Sequence, residues 1–370
     1  WRLFFPAAAL SGAVAIGLLA AGEAGAWAPP GAWSLGRWHA HEMVFGHVLA
    51  AFAGVLLTAL PRWTGCAPIR PATTLVLAAI WLAARVAMLA DPSGLGALMS
   101  PMFVAGLGIV AGRRIVAAGD RRDRPILVIL AVAVLADLGT VLDPGGSDGG
   151  LAPRLGLAAT IVIATVMGGR VAPALTRHLA LGGGRDLVVV PPRGVEIAVA
   201  AATVAALAAW VMAAPGVIAV PILAAAALFH ALRLGHWRGW TTLARPAILA
   251  LHVGYGFLPL GFALLAIGVA REDAAWLDAG RHAWGVGVLG VLCFAVQASV
   301  VRRHGGRPLA RDRFADLACL ALIFAAAARI GWPLAGWTPA LLIAATGAWL
   351  LAQGPALGLP LRRGIDRPGE

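Results

Sequence analysis

The sequence predicts an all-α protein, a polytopic transmembrane helix bundle of about twelve spans. Three observations carry that expectation. Of 370 residues, 60% are hydrophobic and only 12% are charged, too little polar surface to coat a water-soluble globule. The apolar residues fall into runs of roughly 20, the length at which a helix crosses the hydrocarbon core of a bilayer. The arginines gather in short clusters between those runs, as they do in the loops of membrane proteins.

Charge, Pro and Gly clusters bound the runs and place the spans at residues 3–22, 40–61, 73–90, 96–117, 125–142, 152–173, 195–213, 216–233, 245–269, 281–301, 314–331 and 334–353. The first lacks a persuasive small-residue cleavage site and is expected to stay as a helix. The fifth is at the short limit for a crossing. Only Ala214-Pro215-Gly216 separates the seventh from the eighth, and the two could also be counted as one. The connections, such as 23–38 and 174–194, are too short to fold alone. The whole chain, 1–370, therefore reads as a single transmembrane helical domain.

Orientation follows from the arginines, which supply all 29 basic Lys and Arg residues. With the N-terminus inside, 23 of the 29 fall on that side and five on the other, and Arg85 lies within a span. Positive charge is retained on the cytoplasmic side, so both termini are expected in the cytoplasm. The net charge of +12 is thus assigned to membrane topology, and no nucleic-acid partner is expected. The expected partner is the lipid bilayer, crossed many times. Three scattered cysteines, Cys66, Cys293 and Cys319, make neither a disulfide framework nor a CxxC metal site. No phosphate-binding loop, nucleophile elbow, HExxH or dinucleotide fingerprint occurs, which disfavours ATP-driven transport and the common hydrolases.

Ionisable groups inside a bilayer are costly unless paired, hydrated or bound to metal, so each is a candidate for function. The densest cluster is Trp38-His39-Ala40-His41-Glu42-Met43, followed by His47, at the outer start of the second span. A His-x-His pair can chelate one metal ion from an extended or turn conformation. In a helix the two rings point apart by about 200°. Glu42 could orient a ligand imidazole through its second nitrogen. His47 lies ~9 Å deeper at helical rise, where a hydrogen bond to a neighbouring helix would also satisfy it. His282, at the outer start of the tenth span, could complete a metal site with His39 and His41, and glycines at 285, 287 and 290 below it permit close helix approach or a bulky planar ligand.

Toward the inner side, His252 and Tyr255, the only tyrosine, stand one helical turn apart and can share a cavity. That pair suits an axial ligand, a proton path or a substrate contact. His230 could face His252 from the eighth span. Gly168-Gly169-Arg170 ends the sixth span with a guanidinium able to grip a carboxylate or phosphate, in a ligand or a lipid headgroup. Arg85 needs a partner, which Asp137 could supply.

Several of these segments together resemble the NnrS family of bacterial membrane proteins. The resemblance rests on Trp38-His39-Ala40-His41-Glu42-Met43-Val44-Phe45-Gly46, on Leu57 through Gly65, on Gly168 through Thr176, on Leu251-His252-Val253-Gly254-Tyr255 through Gly261, and on His282-Ala283 through Leu309. The chain departs from the family pattern at Arg62, His47, Trp284-Gly285 and Arg303-His304-Gly305-Gly306. The resemblance implies a twelve-helix protein of the nitric oxide and nitrosative stress response, with haem and, less firmly, copper as cofactors. On that reading His252, Tyr255, Arg170 and His230 surround haem, with Arg170 on a propionate. His39, His41, His282, Glu42 and His47 belong to an outer metal site. Imidazole suits either metal. The alternative is a proton- or gradient-coupled transporter of a small ligand or metal such as haem or copper, with His39, His41 and Glu42 at its entry and His252–Tyr255 as a relay.

Overall fold

A backbone in hydrocarbon must satisfy its own hydrogen bonds, so long apolar segments become helices. The computed structural model describes residues 2–91, 94–119, 123–184, 187, 190–304 and 312–358. Among them, twelve helices are long and apolar enough to span a membrane. They are α1 (Phe4–Glu23), α2 (Leu35–Thr64), α3 (Pro71–Ala90), α4 (Met99–Ala118), α5 (Pro125–Leu142), α6 (Leu151–Gly182), α7 (Arg193–Val211), α8 (Gly216–His236), α9 (Pro246–Arg271), α10 (Ala274–Arg302), α11 (Arg313–Leu334) and α12 (Pro339–Gly358). No strand occurs among the described residues. The all-α, twelve-span expectation is met.

Several helix ends differ from the sequence reading, four of them for a clear local reason. The tenth helix starts at Ala274, ahead of the expected 281, because Asp273 caps it, its side chain accepting from the Ala275 amide at 2.8 Å. The second helix starts at Leu35 because Ser34 caps it, its side chain accepting from the Arg37 amide at 3.1 Å. This places the whole His39–Glu42 cluster inside helix. α6 continues through Pro173 to Gly182, into the expected loop 174–194. A proline removes only one amide donor from the helix ladder, and helix-compatible residues follow it. The last helix starts later, at Pro339, because Gly336 and Trp337 both take positive φ, 71° and 62°, and break the helix before it. Of the expected last block, residues 305–309 lie outside the described residues, as do Arg121, Arg122, Arg185, Arg307, Arg311 and the arginines beyond 358.

Among the described residues, the helices gather into two compact units, one up to residue 160 and one from 161 to 358. α2 and α10 are the central helices of their units, with 78% of the span window buried in each, against 28% for α3, α8 and α12. Both central helices contain a π-helical stretch, Glu42–Val48 in α2 and Ala283–Leu292 in α10. A π turn widens the helix and releases carbonyls from the ordinary register, which often marks a functional site. One such carbonyl, Gly46 O, accepts from the Trp81 indole at 3.0 Å.

Candidate functional site

Two buried polar networks stand out, one in each unit. In the first unit, His41 and Glu42 sit where α2 passes into its π stretch. His41 Nε2 lies 2.9 Å from Asp137 on α5, and its Nδ1 lies 3.0 Å from Glu42 Oε1. The same Glu42 oxygen accepts from Arg85 NH1 of α3 at 2.5 Å. Arg85 NH2 donates to Ser100 Oγ of α4 at 2.9 Å, and Ser100 donates to Asp137 Oδ2 at 2.8 Å. The ring closes through four spanning helices, and all five side chains are buried.

A neutral imidazole has one N–H, yet His41 meets a carboxylate at each nitrogen. Both contacts become hydrogen bonds only when the ring carries a second proton or one carboxyl is protonated. The network then has no net charge, with Arg85 and one further proton against Glu42 and Asp137. A buried ion pair survives in hydrocarbon on those terms.

The neighbouring residues hold this ring in place. Gly46 has no Cβ, and one built there would stand 2.8 Å from Ser11 Oγ and 2.9 Å from Arg85 NH1. His47 Nδ1 donates to the Ala8 carbonyl of α1 at 2.7 Å, through space left by Gly12. Arg37 is 2% exposed and donates to the carbonyls of Thr140, Asp143 and Ser147. Its charge sits at the carbonyl end of α5, where a cation complements the helix dipole.

The second network lies in the second unit. The Arg233 fork of α8 meets Glu196 of α7 in two hydrogen bonds, Nε to Oε1 at 2.9 Å and NH2 to Oε2 at 2.6 Å. Its NH1 donates to the Thr165 carbonyl at 3.0 Å and to Tyr255 OH at 2.9 Å. Tyr255 OH is 2.8 Å from His230 Nδ1, and His230 Nε2 is 2.8 Å from Thr203 Oγ1. Thr203 uses its only hydrogen on the Val199 carbonyl at 2.6 Å, so it accepts from His230 Nε2–H. His230 Nδ1 therefore accepts from Tyr255, and the chain runs in one direction from Arg233 through Tyr255 and His230 to Thr203.

The same bookkeeping fixes His252. Thr176 Oγ1 donates to the Ala172 carbonyl at 2.9 Å and lies 2.8 Å from His252 Nε2. It accepts there, so Nε2 carries the hydrogen and Nδ1 carries a lone pair. That Nδ1 is buried and has no hydrogen-bond partner. Trp237, fully buried, stacks at a tilt on Tyr255 with centroids 4.4 Å apart and meets His252 edge-on at 6.1 Å. Its indole nitrogen is likewise buried without a partner.

The structure brings His230, Tyr255 and His252 into one aromatic and polar cluster, but His230 bonds Tyr255 and does not pair with His252. The glycines of Gly168-Gly169-Arg170 explain themselves. A Cβ on Gly168 would stand 2.8 Å from the Tyr255 ring, and one on Gly169 would collide with the Arg233 guanidinium. Arg233 is buried against Glu196, and Arg170 is half-buried on α6. Sequence reasoning missed Arg233 and Glu196 because each lies near a helix end, where charge ordinarily means a solvated loop. The two glycines, spaced to admit something large, were the available signal.

His39 and His41 lie in one helical turn that directs their rings apart, so extended His-x-His chelation does not occur. His282 donates Nδ1–H to the Asp278 carbonyl at 2.9 Å, and Asp278 is held by Arg329 at 2.7 Å. Gly287 packs on Phe257 and Gly290 on Trp349, so protein rings fill those two positions. Arg85 pairs with Glu42 and reaches Asp137 through Ser100. Among the described residues, no group of three or more His, Cys, Asp and Glu side chains comes together as a metal site.

No curated protein matches the chain. The family model described as NnrS protein matches residues 1–358, nearly the whole length, and the chain belongs to the NnrS family of membrane proteins.

Proposed function

We propose that this membrane protein acts in the bacterial nitric oxide and nitrosative stress response, from the inner membrane, and binds haem through His252. Membership of the NnrS family supports the response. One observation supports the ligand: the His252 Nδ1 lone pair is buried without a partner while Thr176 fixes the other nitrogen as N–H. Haem brings four equatorial nitrogens and requires only one imidazole from the chain, so a single such histidine fits it. A metal ligand usually has its second ring nitrogen bonded as His252 has. Bound haem iron supplies a coordination position for nitric oxide. The chain's own part is to hold the imidazole in one tautomer, to wall it with Trp237 and Tyr255, and to keep Arg233 nearby as a cation.

Copper fits less well. It takes its donors from the protein, and the described residues assemble no such set.

The test is to purify the intact chain in mild detergent and record oxidised and reduced spectra with iron counted. The expected result is a Soret band that shifts on reduction and is lost in His252→Ala. Full haem occupancy in that variant would overturn the assignment. The second reading, a proton- or gradient-coupled transporter, is favoured by the His41–Glu42–Arg85–Ser100–Asp137 ring, whose extra proton lies within spanning helices. A colourless chain from haem-replete cells, with uptake in vesicles that needs a gradient, would select it.

A further inference from the structure

The buried Nδ1 of His252, which no residue satisfies, has a cover. After α8 the chain turns at Trp237 and Arg238 into a short 3-10 turn, Gly239–Thr242. Gly239 lies directly on the His252 imidazole, and a Cβ there would stand 2.8 Å from Nδ1 and 2.7 Å from Cγ. Real Cβ atoms do not approach that closely, so only glycine closes this contact. Arg238, just before it, holds φ 53° and ψ 43°, a left-handed conformation that costs a non-glycine residue energy and persists only where its surroundings impose it. The turn's backbone bonds are local, Thr241 to Arg238 at 2.9 Å and Arg245 to Thr242 at 2.7 Å. Its outer residues, Trp240 and Leu243, are 62% and 66% exposed. Both ends are anchored, Trp237 and Thr242 being buried, so what can lift is the stretch between them, strained at Arg238 and resting on a bare lone pair.

We propose that residues 238–241 form a lid over His252, that Gly239 is the residue that lets it close, and that the ligating atom beneath it is Nδ1. The ligand is a metal-centred acceptor of an imidazole lone pair. Identifying it as haem rests on the function proposed above; the lid itself does not. With the lid shut, Nδ1 is reachable only in the fraction of molecules whose turn has opened.

The experiment uses the intact protein in detergent and two probes, diethyl pyrocarbonate and hemin. The first acylates an imidazole lone pair, and modification of the peptide carrying His252 is followed by mass spectrometry. Wild-type His252 should react slowly. Gly239→Ala cannot seat the turn and should react at least ~10-fold faster, the effect of a cover lost to overpacking. Arg238→Gly removes the left-handed penalty, favours closure and should react about fivefold slower. Hemin association should follow the same order. Equal labelling in all three proteins would overturn the lid. If labelling follows the order but hemin binds His252→Ala as tightly as wild type, the lid stands and the haem assignment falls. A Gly239→Ala protein that does not fold leaves Arg238→Gly to decide, since its effect has the opposite sign.

Discussion

At the scale of single residues, the buried ionisable groups are held by mutual completion. Glu42 takes hydrogen bonds from Arg85 at 2.5 Å and faces His41 at 3.0 Å. Removing it leaves two buried groups short of an acceptor and Arg85 without its countercharge. Breaking a buried pair from one side costs about 3–5 kcal/mol. Glu42→Ala should therefore lower the unfolding temperature in detergent steeply. Glu42→Gln keeps an acceptor oxygen and should fall between that variant and wild type. If Glu42→Ala is as stable as Glu42→Gln, the ring is not the support described here. Of these residues the sequence made His41, Glu42, Arg85 and Asp137 visible, because charge inside an apolar run is conspicuous. It could not show Ser100, whose hydroxyl links Arg85 to Asp137. A serine in a membrane helix most often bonds its own backbone, and only the approach of α3, α4 and α5 makes it a bridge.

At the scale of elements, the glycines divide by what faces them. Gly168 backs on Tyr255, and Gly254 leaves room for the Leu292 amide 2.8 Å from where a Cβ would stand. Gly17 and Gly347 face nothing within 4 Å. Alanine at 168 or 254 must push a ring or a backbone aside and should destabilise by about 1–3 kcal/mol. Alanine at 17 or 347 adds a methyl in open space and reduces backbone freedom, so it should be neutral or stabilising by up to ~1 kcal/mol. Thermal melts of the four single variants check this, and equal effects would mean that the helix approaches are looser than they stand here. Composition alone cannot sort these positions, since every one is a glycine in an apolar run. The same limit hid the two π stretches. Glycines mark both stretches, but glycine in an apolar run does not specify a π turn, and the widening is decided by packing, as where the Trp81 indole captures the Gly46 carbonyl.

At the scale of the whole molecule, the sequence was most legible, because the bilayer tests length and apolarity and little else. The twelve runs became twelve helices, and the larger boundary shifts came at Ser34, Pro173, Asp273 and Gly336, where one local bond or dihedral decides. Sidedness rests on a different force. Translocation of arginine is disfavoured, and 23 of 29 lie on one side of the proposed topology. The loop between α1 and α2, with Ala26 exposed, should then face away from the cytoplasm, and Cys66, after α2, should face toward it. A chain with all three native cysteines replaced and Ala26→Cys introduced should react in intact spheroplasts with a membrane-impermeant maleimide. A chain retaining Cys66 alone should react only after the membrane is opened. The reverse pattern would invert the topology. It would place the His41 ring toward the cytoplasmic end of α2 and the lid over His252 toward the opposite face, so that a ligand reaching His252 would come from the other compartment.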